Sequence, residues 1–169
     1  MNKMLKFPVI LVLSVFILPD VATAQIEPAA SGLPLPRFVS LRSDKVHMRT
    51  GPGVRYPIDW VYKRQNMPME VVAEFGTWRK VRDFQGTEGW MHQSMLSNKR
   101  SLAVTGQTRT LRFNSDSKSP AVARIEPSVT GKIIRCRENA GWCKLSFGKY
   151  EGWLRRVEFW GAYPTEKIN

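Results

Sequence analysis

The chain has 169 residues, of which 43% are hydrophobic and 24% are charged, and its 26 basic and 14 acidic residues give a net charge of +12 at pH 7. No segment beyond the first 24 residues is apolar over the ~20 residues that a membrane span needs, so the composition excludes a multi-span membrane protein. The excess of positive charge favours either a basic soluble surface or attraction to an anionic partner.

The first 24 residues are organised as a secretory signal peptide. Lys3 and Lys6 precede an apolar stretch over 7–18, and residues 22–24 (Ala-Thr-Ala) form a cleavage pattern before Gln25. The apolar stretch has 12 residues, which at about 1.5 Å each do not span a hydrocarbon core of about 30 Å, so cleavage is favoured over a membrane anchor. No cysteine follows the cleavage pattern directly, which argues against a lipid anchor. We therefore predict a periplasmic or secreted protein without an integral membrane span after cleavage.

The predicted mature chain, 25–169, keeps a net charge of +11. Nucleic acid is the usual partner of so basic a chain, but DNA and RNA are scarce outside the cytoplasm. We therefore expect no nucleic-acid partner. Cell-wall carboxylates and anionic lipid head groups are the counterparts that an exported protein would meet.

After a flexible, proline-rich lead predicted at 25–37, the chain from 38 to 97 changes to short runs of strand-forming residues with a period near two. Turn residues separate these runs, most sharply at Thr50-Gly51-Pro52-Gly53. No window shows an apolar stripe with a period of 3.6 residues, so five or six short strands in a small β-barrel are predicted. Five of these strands lie at 46–49, 60–62, 69–73, 78–82 and 89–92, with an entry strand at 38–41 as a sixth, and the segment 94–96 closes the unit.

The same pattern returns at an offset of 63 residues. Met48-Arg49 reappears as Leu111-Arg112, and Glu88-Gly89-Trp90 reappears as Glu151-Gly152-Trp153. An offset shared over some 40 positions indicates two copies of one folding unit.

The polar stretch at 98–107 is predicted to be a linker, and the second unit is predicted at 108–163. A unit of about 60 residues buries only about 60% of its unfolded surface, so each copy would be marginal alone. Packing of the copies against each other, or a disulfide, would stabilise them.

Three motifs of the first unit resemble those of bacterial SH3 (SH3b) domains. Met48-Arg49-Thr50-Gly51-Pro52-Gly53 is similar to the opening of that family, and Trp78-Arg79-Lys80-Val81 with Gly89-Trp90-Met91-His92 is similar to its ending. The second unit keeps Trp142-Cys143-Lys144-Leu145 and Gly152-Trp153-Leu154, but its opening has diverged. The mature chain further resembles two-copy SH3b proteins exported by alphaproteobacteria. The resemblance implies an all-β chain of two tandem SH3-like small β-barrels, an extracytoplasmic location, and binding of cell-wall or peptide ligands.

Eight residues of the first unit are candidates for a ligand groove, because its opening loop is intact and flat rings beside arginines can stack on sugar or peptide faces. The Gly-Pro-Gly turn could equally be a requirement of the barrel. Trp90 and Trp153 are expected to face the core in part. The ligand-binding candidates are Gly51, Pro52, Gly53, Arg55, Tyr56, Trp78, Arg79 and Phe84.

Cys136 and Cys143 flank a turn predicted at 138–141. If that turn is a four-residue loop, the two cysteines face each other at a close, non-hydrogen-bonded position, and an exported protein permits their oxidation. A disulfide would close an eight-residue loop and stabilise the fold by about 2.5 kcal/mol. Two free thiols are the alternative.

The sequence offers no support for catalysis. His47 and His92 are the only histidines, and no Gly-x-Ser-x-Gly, His-Glu-x-x-His or phosphate-binding loop occurs. Two cysteines without a nearby histidine make a metal site improbable. We therefore expect no enzymatic activity, no cofactor and no metal.

The favoured hypothesis is an exported binding module that recognises a cell-envelope component, peptidoglycan or its peptides, through an aromatic and basic groove. The first alternative is a protein–protein adaptor that binds an envelope protein and regulates an envelope enzyme. The second, a weak hydrolase, lacks a recognisable catalytic set.

Overall fold

The computed structural model describes residues 31–169, in which about half of the residues are in β-strands and the only helical segments are two short 3₁₀ turns. Fourteen strands form two seven-stranded antiparallel sheets, which confirms the predicted all-β chain of two tandem domains. The predicted signal peptide and residues 25–30 of the predicted lead lie outside the described residues. Between residues 31 and 169, no helix has the length and apolar character needed to cross a membrane.

Domain 1 comprises the first sheet, in the order β3-β2-β6-β5-β4-β1-β7, with a 3₁₀ turn at Gln93–Met95 before its last strand. Its strands are β1 (Arg37–Leu41), β2 (Val46–Arg49), β3 (Ile58–Tyr62), β4 (Pro68–Phe75), β5 (Trp78–Arg82), β6 (Glu88–His92) and β7 (Leu96–Ser97).

Domain 2 repeats this order as β10-β9-β13-β12-β11-β8-β14, with a 3₁₀ turn at Arg156–Glu158. Each strand therefore has a counterpart seven strands later. The strands are β8 (Ser101–Val104), β9 (Arg109–Arg112), β10 (Ala121–Ile125), β11 (Thr130–Cys136), β12 (Trp142–Phe147), β13 (Tyr150–Arg155) and β14 (Phe159–Trp160).

Each sheet encloses a core of its own, because alternate side chains of every central strand point to one face. In domain 1, Val71, Val81 and Met91 are fully buried on neighbouring strands. Residues from both ends of the sheet order, Tyr62 on β3 and Leu96 on β7, belong to the same cluster. A single sheet can bring its two ends into one core only by curling, so the sheet wraps around its own apolar face.

The segment 98–107, which the sequence predicts to be a linker, contains the strand β8. Leu102 and Val104 of this strand are fully buried in the core of domain 2, where β8 pairs with β11 and β14. The linker prediction needs correction there, because the flanking lysine, arginine and glycine obscure a four-residue strand. The chain passes from β7 to β8 through 98–100 alone.

The two domains pack against each other through Phe38. Its ring centroid lies 4.7 Å from those of Trp160 and Tyr163. The Tyr163 hydroxyl donates a hydrogen bond of 2.7 Å to the Glu70 carboxylate, which also accepts one of 2.6 Å from Arg82. Tyr163, at the end of domain 2, is thereby joined to β1, β4 and β5 of domain 1.

The predicted disulfide between Cys136 and Cys143 is present. The two residues are directly paired on β11 and β12, and both are fully buried. The chain remains ordered beyond residue 163, where the sequence predicts domain 2 to end, because Ile168 is buried and forms a β-bridge with Cys136.

Candidate binding surface

The tryptophans of the repeated Gly-Trp motif lie on the outer face of each sheet. Along β6, Gly89 and Met91 are buried while Trp90 is half-buried, and β13 repeats this alternation around Trp153. The core clusters contain Met91 and Leu154 but not the two tryptophans. Trp90 and Trp153 were expected to face the core in part; both are half-buried, but neither belongs to a core cluster. The neighbouring apolar residue has the core position.

The outer face of domain 1 is formed by side chains from β2, β6 and β5. Trp90 is directly paired with Arg49 on one side and with Lys80 on the other. Two residues further along β5 and β6, on the same face, Trp78 is paired with His92, and their ring centroids lie 5.5 Å apart in an edge-to-face arrangement. Residues paired across strands have neighbouring side chains, so this face presents two tryptophans with a lysine between them.

The outer face of domain 2 repeats the arrangement at equivalent registers. Trp153 is paired with Arg112 and Lys144, and Trp142 is paired with Arg155. The Arg155 guanidinium lies 5.4 Å from the Trp142 ring centroid, within the range of cation–π attraction. The Arg135 guanidinium adds a second such contact, 5.9 Å from Trp153. This copy is therefore the more basic of the two.

Each central lysine is balanced by one glutamate. The Lys80 ammonium lies 2.7 Å from the Glu88 carboxylate, and the Lys144 ammonium lies 3.3 Å from that of Glu151. The hydrogen bond from Lys80 lowers the pKa of Glu88 below its ordinary value. Ion pairs this exposed add little stability, so the lysines remain available to a competing anion.

The predicted groove loop is a compact turn built around Tyr56. The ring of Tyr56 lies where a side chain on Gly51 would be, and it also approaches Gly53 closely. The Arg55 guanidinium lies 5.5 Å from the centroid of the same ring, and Pro52 is half-buried between the glycines. Five of the predicted site residues therefore belong to one cluster, and glycine is required at 51 by close packing.

An arginine attaches this loop to the outer face in both domains. The Arg49 guanidinium donates a hydrogen bond of 2.7 Å to the backbone carbonyl of Tyr56. Arg112 donates one of the same length to the backbone carbonyl of Ser119. In both domains the acceptor lies seven residues after the arginine. The loop of domain 2 is thus held in the same way, although its sequence has diverged.

The structure places two of the predicted site residues away from this surface. Arg79 is buried, where it forms an ion pair of 3.1 Å with Glu74 and a hydrogen bond of 2.7 Å with Gln93. Phe84, in the turn after β5, packs against the core of domain 1. The period of two along β5 turns Arg79 inward beside Trp78, which points outward. A ligand-binding role for any of the eight candidates stays a prediction.

The groove was predicted for the first unit only, and the outer face of the second unit was not predicted to bind a ligand. The signal was nevertheless present, since Trp-x-Lys and Gly-Trp both recur in the second unit. Their common face becomes visible only when strands β12 and β13 are known to be paired.

The described residues offer few groups for catalysis or metal binding. His47 is exposed on β2, and His92 faces Ser94, whose hydroxyl lies 2.7 Å from its Nδ1. Between residues 31 and 169, no group of three histidine, cysteine or acidic residues is placed to hold a metal ion.

The model of the bacterial SH3 domain family matches residues 42–98 and 107–161. No curated protein matches the chain.

Among solved structures, the chain resembles NlpC1 and NlpC2 from Trichomonas vaginalis and an NlpC/P60 family protein from Bacillus cereus ATCC 10987. For NlpC1 the identity is 11%, the TM-score is 0.35, and the match covers 78% of this chain and 48% of that one. The corresponding values are 9%, 0.34, 74% and 48% for NlpC2, and 14%, 0.33, 72% and 55% for the Bacillus protein. The chain therefore spans about half the length of these three proteins.

Proposed function

Because the chain belongs to the bacterial SH3 domain family, whose members are generally cell-wall binding modules, we propose that it is a non-enzymatic, exported module that binds peptidoglycan or its peptides. The signal-peptide pattern of residues 1–24 supports a periplasmic or secreted location. The two outer faces are the proposed binding surfaces.

One observation carries this proposal, which is that both domains present the same tryptophan, lysine and arginine set at equivalent registers. In domain 1 the set is Trp78, Lys80, Trp90 and Arg49, and in domain 2 it is Trp142, Lys144, Trp153 and Arg112. None of these side chains belongs to a core cluster. Packing of the core therefore does not account for their repetition.

The chemistry of these faces suits a ligand that combines sugar or peptide planes with carboxylates. Flat indole rings stack on such planes, and nearby cations attract the carboxylates. The net charge of +12 adds a long-range attraction that salt screens. Binding should therefore weaken, without vanishing, as ionic strength rises.

Co-sedimentation with purified sacculi tests the proposal. The wild-type protein is expected to sediment, and Trp78→Ala combined with Trp142→Ala should weaken binding at least about tenfold, since each stacked ring contributes on the order of 1 kcal/mol. Trp60→Ala is the matched control, because Trp60 is 55% exposed but lies on the edge strand β3. Sedimentation unaffected by the double substitution, or absent from the wild type at low salt, would overturn the proposal.

A protein–protein adaptor that regulates an envelope enzyme is the second candidate. Strand β3 is the last strand of its sheet and exposes Ile58, Trp60 and Val61. An edge strand with exposed apolar side chains can pair with a strand of another protein. A stoichiometric envelope protein that is recovered with the wild type and lost with Trp60→Ala, while sacculus binding is absent, would favour this function.

A further inference from the structure

The same cross-strand position is occupied by an ion pair in domain 1 and by the disulfide in domain 2. Glu74 is directly paired with Arg79 on β4 and β5, and Cys136 is directly paired with Cys143 on β11 and β12. The strand registers make these pairs equivalent, since each is the inward-facing pair nearest the connecting turn.

In domain 2, the C-terminal residues 163–168 pack beside the disulfide. Ile168 exchanges two backbone hydrogen bonds of 2.9 Å with Cys136. The Glu166 carboxylate is bound by the Arg100 guanidinium. Arg156, itself buried, donates to the carbonyls of Tyr163 and Glu166 at 2.7 and 2.6 Å. Two arginines therefore recognise one carboxylate and two peptide carbonyls of this segment.

The electrostatics of this contact favour an ionised carboxylate. Desolvation by itself raises the pKa of Glu166, but hydrogen bonds from the Arg100 guanidinium and the Tyr163 amide outweigh it. The net effect is a pKa below the ordinary value.

Domain 1 cannot supply such a segment, because its chain continues through 98–100 into β8. A cavity of about 450 Å³ lies beside its Glu74–Arg79 pair, lined in part by Arg37, Gln93 and Asn98. Arg37 lies directly before the core residues of β1, and Arg100 lies directly before those of β8. Because β1 and β8 pair in the same register with β4 and β11, the two arginines are equivalent. Gln93 is likewise equivalent to Arg156. The backbone amide of each donates to a carbonyl in the turn between the paired strands, that of Thr77 in domain 1 and that of Gly141 in domain 2.

The cavity is basic and holds unused donors. Three of its lining residues are arginines, Arg37, Arg42 and Arg79, and none of the described lining residues is acidic. The Nε and Nη1 atoms of Arg37 are buried without an acceptor among residues 31–169. The third nitrogen, Nη2, donates to the Glu74 carboxylate at 2.6 Å. An unpaired buried donor is costly, so an acceptor that reaches Nε or Nη1 would stabilise this guanidinium.

A short part of the chain's own lead already occupies one edge of the cavity. Ser31 donates two hydrogen bonds of 2.7 Å to the side-chain carboxylate of Glu74. Glu74 is the counterpart of Cys136, which Ile168 contacts through the backbone. Arg37 and Gln93, the counterparts of the two arginines that bind residues 163–166 in domain 2, line the open part of the cavity.

We propose that this cavity of domain 1 binds a short acidic peptide, with its carboxylate on Arg37 and its carbonyls towards Gln93, as domain 2 binds its own C-terminal segment through Arg100 and Arg156. The site is separate from the outer faces. Its occupant is a peptide because the equivalent site holds one, and it is acidic because the lining is cationic.

The test is a titration of the full-length mature protein with acetyl-Tyr-Pro-Thr-Glu-amide, which has the sequence of residues 163–166. Nuclear magnetic resonance of the Arg37 side-chain Nε–H signal gives the readout. A saturable downfield shift is expected with this peptide and no shift with its glutamine analogue. Because the assay contains no cell wall, its failure would leave the sacculus result unaffected.

Two variants of equal charge separate binding from general electrostatics. Gln93→Glu places a carboxylate in the cavity wall and should weaken peptide binding at least about tenfold, which corresponds to the loss of one charge-assisted contact. A glutamate there can still accept the hydrogen bond from Arg79, so the fold should persist. Gln85→Glu, in the exposed turn after β5, makes the same change of charge and should leave binding unaltered.

Two outcomes would overturn the proposal. The first is equal binding by the wild type, Gln93→Glu and Gln85→Glu. The second is an Arg37 signal that is insensitive to the peptide but moves on Glu27→Gln, which would show that the chain's own lead is the occupant.

Discussion

The buried Tyr62 and the half-buried Tyr163 each donate a hydrogen bond to a carboxylate at a structurally important point. Tyr62 donates one of 2.9 Å to Asp83, which also accepts from two amides of its turn. Tyr163 donates to Glu70 between the domains. Burial first, and then the acceptor carboxylate, raise the pKa of both phenols well above the ordinary value. Both hydroxyls therefore resist ionisation only while the protein is folded.

This difference makes stability depend on alkaline pH. The unfolded tyrosines release their protons near pH 10.0 and the folded ones later, so their contribution is complete below that pH and is lost as the pH rises. Tyr62→Phe should cost about 1–3 kcal/mol at neutral pH, because Asp83 loses a donor. It should also reduce the loss of stability between about pH 9 and 11. Urea unfolding across that range measures both effects, and parallel pH profiles would contradict the assignment.

At the scale of elements, the two sheets show that one strand pairing tolerates different chemistry. The inward-facing pair nearest the β4–β5 turn is a glutamate and an arginine, whereas its counterpart in domain 2 is a disulfide. Domain 1 compensates for the buried charges with Arg37 and the Ser31 hydrogen bonds. Domain 2 instead joins its strands covalently and adds a backbone bridge to Ile168.

Removal of the disulfide should lower the free energy of unfolding of domain 2. Cys136→Ala combined with Cys143→Ala is expected to cost about 2.5 kcal/mol from loop closure alone, and the buried positions add to that cost. Urea unfolding of the double variant gives the measurement, and wild-type protein treated with reductant is the comparison. An unchanged midpoint in both would show that the bridge contributes no stability.

At the scale of the whole molecule, the domains are coupled by an aromatic contact and not by the linking residues alone. Phe38 is buried between Trp160 and Tyr163, and the Arg100 guanidinium lies 5.7 Å from its ring centroid. Tyr163 also contributes its hydroxyl to Glu70. Each small domain thus gains buried surface that it lacks by itself.

Phe38→Ala should therefore separate the unfolding of the two domains. Loss of a buried phenylalanine typically costs about 3–5 kcal/mol, and this one lies between the domains. Calorimetry should show one transition for the wild type and two for the variant. Phe75→Ala is the control, because Phe75 is 64% exposed and its removal should leave the single transition intact. A single transition at lower temperature for Phe38→Ala would mean that the domains remain coupled by other contacts.

Local sequence patterns predicted most of the architecture. The period of two, the turn residues and the offset of 63 residues were sufficient for an all-β chain of two domains, and the close spacing of Cys136 and Cys143 was sufficient for their bridge. They were insufficient for β8, because a four-residue strand with polar neighbours has too few alternations to be recognised.

Which residues repeat can be read from the order of the chain alone, because a repeat is a property of that order. Which of them share a face depends on the folded sheet, since Trp78, Lys80 and Trp90 meet through a strand pairing that sequence distance does not encode. The same holds for the cavity beside Glu74, which exists because the chain of domain 1 runs on into domain 2, whereas the last residues of domain 2 fold back. Contacts between distant residues depend on how the sheets close, and that is fixed by packing of the whole fold.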